Sequence, residues 1–225
     1  VILQTVKLKK YFGEIHAVDH VDLKVQRREL LSIIGPNGAG KTTLINILTG
    51  NLPADSGKIY FEGRDITGMS VHSRVKLGIN RSFQIVNIFP GLTVFQNVQI
   101  PIIWLKKKSL NMITNLKKLK DVSSEVERIL KIVGLEDKKD VAAGTLSHGD
   151  QKLLEIAMAL ATQPKLLFLD EPTAGMNPVE RSHTLDFIRK LHRESDVTII
   201  IVEHDMDVVF AVSQRILVMN RGQII

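Results

Sequence analysis

Cysteine is absent from the 225 residues. That excludes a disulfide framework and any thiolate metal centre, and it fits a reducing compartment. Long apolar runs are missing as well. The longest near the carboxyl end, Val197 to Val202, falls far short of the ~20 residues that a membrane-spanning helix needs. No cationic, apolar and small-residue series opens the chain as a signal peptide would. There is no internal repeat, no low-complexity segment and no linker long enough to separate independent domains. The chain starts without methionine and stops at Ile224-Ile225, just after a turn-like Asn220-Arg221-Gly222. Both ends are therefore expected to be trimmed, the second within a strand.

What is present is core-forming material. Hydrophobic residues make up 44% and charged residues 24% of the chain, the balance of a globular protein with one large domain, or a core domain with a dependent subdomain. The formal net charge of +6 admits nucleic acid, an anionic membrane surface or a solvated face. Its lysines gather at Lys106, Lys107 and Lys108 and at Lys117, Lys118 and Lys120, interleaved with Leu110, Ile113, Leu116 and Leu119. That is the pattern of the wet side of amphipathic helices, with anionic lipid headgroups as the alternative partner.

Two kinds of strand are legible. Short alternating runs, Val1 to Lys7, Val21 to Val25 and Lys58 to Glu62, predict a small, mostly antiparallel sheet. Leu30 to Ile34, Leu166 to Leu169 and Val197 to Val202 are short apolar runs, and each leads through polar or glycine-rich residues into a helical pattern. These read as buried parallel strands of an α/β fold, with function expected where they end. Between them, about Gln99 to Thr145 reads as helical. Val122, Val126, Ile129 and Val133 recur at helical spacing, and Gly134 is placed to end that helix.

Gly35, Pro36, Asn37, Gly38, Ala39, Gly40, Lys41 and Thr42, followed by Thr43, satisfy G-x-x-x-x-G-K-[ST], with an apolar strand before and a helical run after. Glycines let successive amide N–H groups turn inward around phosphate oxygens, and the following helix adds its positive amino end. Lys41 supplies a point charge to the terminal phosphates, and the Thr42 hydroxyl can ligate Mg²⁺. The order of glycines does not fit the G-x-G-x-x-G of a dinucleotide site. Farther on, the strand Leu166–Leu169 runs into Asp170-Glu171. Two adjacent carboxylates there are delivered to one edge but aimed differently. Asp170 would hold Mg²⁺ through its waters, and Glu171 would orient or deprotonate the attacking water. Neither is needed as a helix cap, because Asn177-Pro178 with Glu180 already forms a helix start.

Leu146-Ser147-His148-Gly149-Asp150-Gln151 is by itself a capping box. Beside the two motifs above, it resembles the L-S-G-G-Q signature of ATP-binding-cassette ATPases, with His148 in place of a glycine and Asp150 in place of glutamine. The resemblance spans essentially the whole chain. It implies an α/β fold with a P-loop NTPase core of mainly parallel sheet, a small antiparallel β subdomain and an inserted helical subdomain. One cassette would fill residues 1–225, the core and antiparallel sheet taking about 1–84 and 146–225 and the helical part about 85–145. It further implies that ATP and Mg²⁺ are bound, that Ser147 and Gly149 touch a γ-phosphate, and that Phe12, with Val18 nearby, stacks on adenine. Gln84 would couple Mg²⁺ and water to a membrane partner, and His204 would contact the γ-phosphate. Asn177 stands where many members of the family carry aspartate; it still caps a helix but carries no charge.

In such proteins the phosphate loop of one subunit faces the signature of another. The resemblance thus implies a second ATPase subunit, identical or related, transmembrane permease subunits, indirectly an extracytoplasmic solute-binding protein, and a peripheral place on the cytoplasmic face of the membrane. The strings GINRSFQ (78–84), FPGLTVFQNV (89–98), LEIAMAL (154–160) and DEPTAGMNP (170–178) look most like ATPase subunits of branched-chain amino-acid importers, with urea-importer and lipopolysaccharide-export ATPases as close relatives. A soluble cassette ATPase acting on nucleic acid would carry long coiled-coil insertions or two fused cassettes, and 225 residues hold neither, so no nucleic-acid partner is expected. A regulatory module without catalysis would not need Lys41, Asp170, Glu171 and His204 together.

Overall fold

A computed structural model describes residues 1–82, 87–106 and 116–225. Gln84, and with it Lys107, Lys108, Leu110 and Ile113 of the lysine-rich stretch, lie outside the described residues. The chain opens with β1 (Leu3–Phe12), β2 (Ile15–Val25) and β3 (Leu30–Ile34), then α1 (Lys41–Thr49), β4 (Ser56–Phe61), β5 (Arg64–Asp65), α2 (Val71–Leu77) and β6 (Ile79–Arg81). Helices α3 (Val94–Lys106), α4 (Leu116–Val133) and α5 (His148–Leu160) follow. It ends with β7 (Leu166–Asp170), α6 (Pro178–Glu194), β8 (Thr198–Val202), α7 (Met206–Val212), β9 (Arg215–Asn220) and β10 (Gln223–Ile224).

Contacts divide the chain into two units, Val1–Arg81 with Lys165–Glu171 and His192–Ile225, and Ser82–Pro164 with Pro172–Leu191. Among the described residues, every strand belongs to the first unit. Its smaller sheet, in the order β2-β1-β4-β5, is antiparallel throughout. The larger runs β10-β9-β3-β8-β7-β6, parallel except for the terminal β9–β10 hairpin. All five residues of β7 and of β8 are buried, the signature of strands covered on both faces and the reason they read as unbroken apolar runs. Leu31, Ile33, Leu44, Ile47, Phe61, Phe168 and Ile200 lie in one cluster that fills the unit. The expected buried strands are all observed. Of the added members, β6 and β10 are short edge strands, while β9 lies inside the sheet between β3 and β10.

The first unit also buries a cation on α2. Arg74 on α2 is 1% exposed. Its guanidinium donates to the carbonyls of Ile47 and Leu48 at 2.6 and 2.7 Å, Ile66 and Thr67 at 2.9 and 3.0 Å, and Met69 at 3.1 Å. Two of these close the carboxyl end of α1, where orphan carbonyls and the helix dipole favour a positive charge.

In the second unit, α4 buries Val122, Val126, Ile129 and Val133 as their spacing predicts, and stops directly before Gly134. Helices α3, α4 and α5 pack together. Asn97, completely buried on α3, accepts from the Phe89 amide and donates to the carbonyls of Phe89 and Thr93, so the segment before the helix is held by a satisfied polar side chain. Among the described residues, no helix is long and apolar enough to cross a membrane.

Candidate active site

Strands β3, β8 and β7 lie side by side and parallel, with Ile33 opposite Val202 and Val202 opposite Asp170. Their carboxyl ends therefore share one edge. From it leave, in turn, the glycine loop that starts at Gly35, the Glu203-His204 segment and Glu171. At strand spacings of about 4.8 Å, the outer two exits are roughly 10 Å apart, the span of a polyphosphate and a water.

The glycine loop leads directly into α1. Gly40 caps that helix with no side-chain hydrogen bond, and no acidic residue occupies the first turn. The amides of Lys41, Thr42 and Thr43 have no carbonyl four residues back to serve. Lys41 Nζ folds onto the loop's own carbonyls, 2.6 Å from Gly35 O and 3.0 Å from Pro36 O. Pro36, Asn37 and Gly38 are exposed and Ala39 is buried. Helix-start amides without a side-chain cap or a nearby carboxylate, beside a lysine held at the loop, give a positive cradle that fits a polyphosphate. Among the described residues no group of three His, Cys, Asp or Glu side chains could hold a metal. The donors at hand, one hydroxyl and one carboxylate beside a phosphate cradle, suit Mg²⁺, which is held largely through phosphates and water.

Gly40 tests the loop directly. Its φ is +100°, and a Cβ there would stand 1.9 Å from the Ala17 carbonyl oxygen. Gly40→Ala is expected to lower stability by about 2–4 kcal/mol from backbone strain plus overpacking, read as a fall in the urea midpoint. An unchanged midpoint would mean the backbone there is free to move.

Asp170 ends β7 and is 2% exposed. Arg81, at the end of β6, donates Nη2 to its Oδ2 at 2.5 Å and Nη1 to Asn46 Oδ1 at 2.5 Å. Glu171 follows in a left-handed backbone conformation, φ +45°, which is uncommon outside glycine and concentrates at functional sites. Its amide still donates to Val202 O at 2.9 Å, so the left-handed turn coincides with the last ladder bond of the strand. His204 Nδ1 lies 3.5 Å from Glu171 Oε1, with the two side chains 63% and 24% exposed. The arrangement offers a buried, paired carboxylate beside an accessible one in contact with an imidazole, as acid–base chemistry on water requires.

Phe12 sits at the end of β1, half exposed, with Lys10 Nζ 5.5 Å from its ring centroid. Its cross-strand partner is Ile15, also strongly exposed. Together they form an apolar hairpin tip of the kind that stacks on a flat ring. Val18, in contrast, is completely buried in the core.

Ser147 and Gly149 belong to the second unit. Ser147 caps α5, its hydroxyl accepting from the Asp150 amide at 3.2 Å. The two departures from the usual signature both find partners: His148 Nε2 is 3.1 Å from Ala174 O, and Asp150 pairs with Lys138 at 2.5 Å. Glu180 reaches back from α6. It takes hydrogen bonds from the Ser147 hydroxyl and from the amides of Asn177 and Gly149, which together hold its carboxyl below the usual range. A Cβ on Gly149 would lie 2.9 Å from Glu180 Cγ and Cδ, so only glycine lets the carboxylate settle on this helix tip. Asn177 Oδ1 accepts from the amides of Val179 and Glu180 at 3.0 Å, a helix cap that needs no charge.

Sequence reasoning missed Arg81, Ile15 and the docking of Glu180. Only the last left a local trace, as the N3 residue of a capping box. Arg81 looks like any strand-end cation until its pairing is seen.

The sequence profile of the ABC transporter family matches residues 18–174. The high-affinity branched-chain amino acid transport ATP-binding protein BraF of Pseudomonas aeruginosa is 37% identical over 98% of this chain and 89% of its own length. A probable branched-chain amino acid transport ATP-binding protein of Archaeoglobus fulgidus is 38% identical over 100% and 88%. The sulfate/thiosulfate import ATP-binding protein CysA of Mannheimia succiniciproducens is 37% identical over 96% of this chain but 58% of itself. Among solved structures, an ATP-binding cassette of an ABC transporter in its ADP conformation superposes with a TM-score of 0.85 at 35% identity, covering 100% of this chain and 89% of that one. A dimeric cassette in a post-hydrolysis state, bound to ADP and Pi, superposes at 0.83 with 26% identity, covering 99% and 96%. The glycine loop, the strand-end carboxylates and these likenesses agree: the chain belongs to the ABC transporter family and is an ATPase of that family.

Proposed function

We propose that this ATPase is the motor subunit of an importer and works as an ATP-sandwich dimer, the phosphate loop of one copy set against the Ser147–Gly149 helix tip of the other. One observation carries the reading: the bare amino end of α1 and the carboxylate of Glu171 leave the same strand edge. The dimeric cassette among the similar structures supports the two-copy arrangement.

In this reading the loop Gly35–Gly40, Lys41 and the amides of Lys41, Thr42 and Thr43 hold the phosphates of ATP, while Phe12 carries the adenine. Thr42 and Asp170 would hold Mg²⁺, with Gln84 as a third ligand and link to the membrane partner. Bound there, Mg²⁺ neutralises charge on the phosphoryl group in transfer. Glu171 orients the attacking water and accepts its proton, and His204 steadies Glu171 and reaches the γ-phosphate. Ser147 and Gly149 of the other copy complete the anion site. ATP closes the dimer and hydrolysis reopens it. One cassette spans the chain, and its helical part, about 85–145, passes the movement to transmembrane permease subunits at the cytoplasmic face.

The proposed cargo is branched-chain amino acids, delivered by an external binding protein. The names of the bacterial and archaeal relatives support it. No residue described here selects a solute. Cells lacking this chain should lose uptake of labelled leucine while sulfate and urea uptake persist, and mild detergent extraction should recover it with hydrophobic permease subunits. Retained leucine uptake with loss of another solute would overturn the cargo alone; recovery with nucleic acid would overturn the transporter assignment.

A further inference from the structure

Arg81 is not part of the machinery assigned above, yet its side chain is 8% exposed and faces an Asp170 side chain that is 3% exposed. The guanidinium spans three elements of one unit. It is rooted at the end of β6, whose register with β7 sets Arg81 opposite Phe168, two residues before Asp170. One amino group holds Asp170 Oδ2, and the other holds Asn46 Oδ1 on α1, both at 2.5 Å. Helix α1 is the one whose first turn carries Lys41 and Thr42. The donors that cradle phosphate and the carboxylate that would face the metal are therefore tied to one rigid planar fork, which a flexible ammonium could not reproduce.

We propose that Arg81 is a positioning residue for hydrolysis: it fixes the Asp170 carboxylate by one oxygen and, through Asn46, sets it in register with α1 and the nucleotide metal. A buried carboxylate deprived of this fork turns toward whatever donors remain. Displacements of about 1 Å at supporting residues are enough to lower rates ~100-fold. The proposal rests on the reading that Asp170 holds the nucleotide-bound cation.

The test uses Arg81→Lys, Arg81→Met and Asn46→Ala, with Asp170→Asn as reference. Binding of a fluorescent ATP analogue without divalent cations should stay within about twofold of wild type in the Arg81 variants, since the phosphate cradle is untouched. Mn²⁺ titrated into protein saturated with a non-hydrolysable ATP analogue, read by electron paramagnetic resonance, should bind at least fivefold more weakly in both. Their kcat should fall about 10–100-fold with KM for ATP little changed. Asn46→Ala keeps the ion pair and should show the same shift in smaller degree, so it decides the matter if an Arg81 variant does not fold. Unchanged Mn²⁺ affinity with only a lower melting temperature would reduce Arg81 to a structural residue. Tighter Mn²⁺ binding in Arg81→Met would mean it acts as a competing charge. Either result overturns the proposal. If Asp170→Asn itself leaves Mn²⁺ binding unchanged, the reading of Asp170 fails; if it weakens binding while the Arg81 and Asn46 variants do not, this inference alone fails.

Discussion

Glu171→Gln is expected to keep ATP binding at the wild-type level while turnover falls by about 10²–10⁴-fold, the usual worth of a positioned proton acceptor. Glutamine matches glutamate in volume and can still orient a water, but its amide cannot take the proton. The backbone turn that aims residue 171, φ +45°, is set by the strand end and survives the exchange. Stalled before hydrolysis, the variant should accumulate as an ATP-bound dimer, visible by sedimentation with MgATP and absent without it. Phosphate release and filter binding separate the two effects. Turnover at the wild-type rate would remove Glu171 from the chemistry; loss of binding would place it in the cradle instead.

Arg74→Met should be strongly destabilising although Arg74 takes no part in the nucleotide site. Burial brings the guanidinium down to about 10, which is far enough above neutral pH to leave it charged, and five backbone carbonyls share it. The Ile47 and Ile66 carbonyls have a second donor, in the amides of Gly50 and Met69. The remaining three would lose the guanidinium, Leu48 within the core and Thr67 and Met69 at its margin. Each orphaned acceptor costs about 1–3 kcal/mol, and partial relaxation and water entry give an expected total of about 3–5 kcal/mol. That is a large share of a stability of roughly 5–15 kcal/mol. Urea melts should show a lower midpoint at unchanged slope. Arg74→Lys, with one charged donor group in place of a planar fork, should recover part of the loss. A midpoint near wild type in Arg74→Met would mean that water or neighbouring amides satisfy the carbonyls.

By itself the sequence determined the parts whose physics is local. The glycine spacing before Lys41 encodes a loop of inward amides whatever surrounds it, and three apolar runs bounded by polar residues encode buried strands, observed within a residue or two as β3, β7 and β8. The valine and isoleucine spacing of α4 and the caps at Ser147 and Asn177 belong to the same class. Tertiary structure alone decided which segments meet. The order β3-β8-β7, which puts His204 between the glycine loop and Glu171, comes from pairings between residues 169 positions apart for β3 with β8 and 32 apart for β8 with β7, and no local pattern records a partner. The three-residue strand β6 exists only because β7 supplies its hydrogen bonds. Arg81 and Arg74, two cations indistinguishable in the sequence from those on the surface, acquire their roles from what the fold packs around them: a carboxylate and an amide for one, five carbonyls for the other.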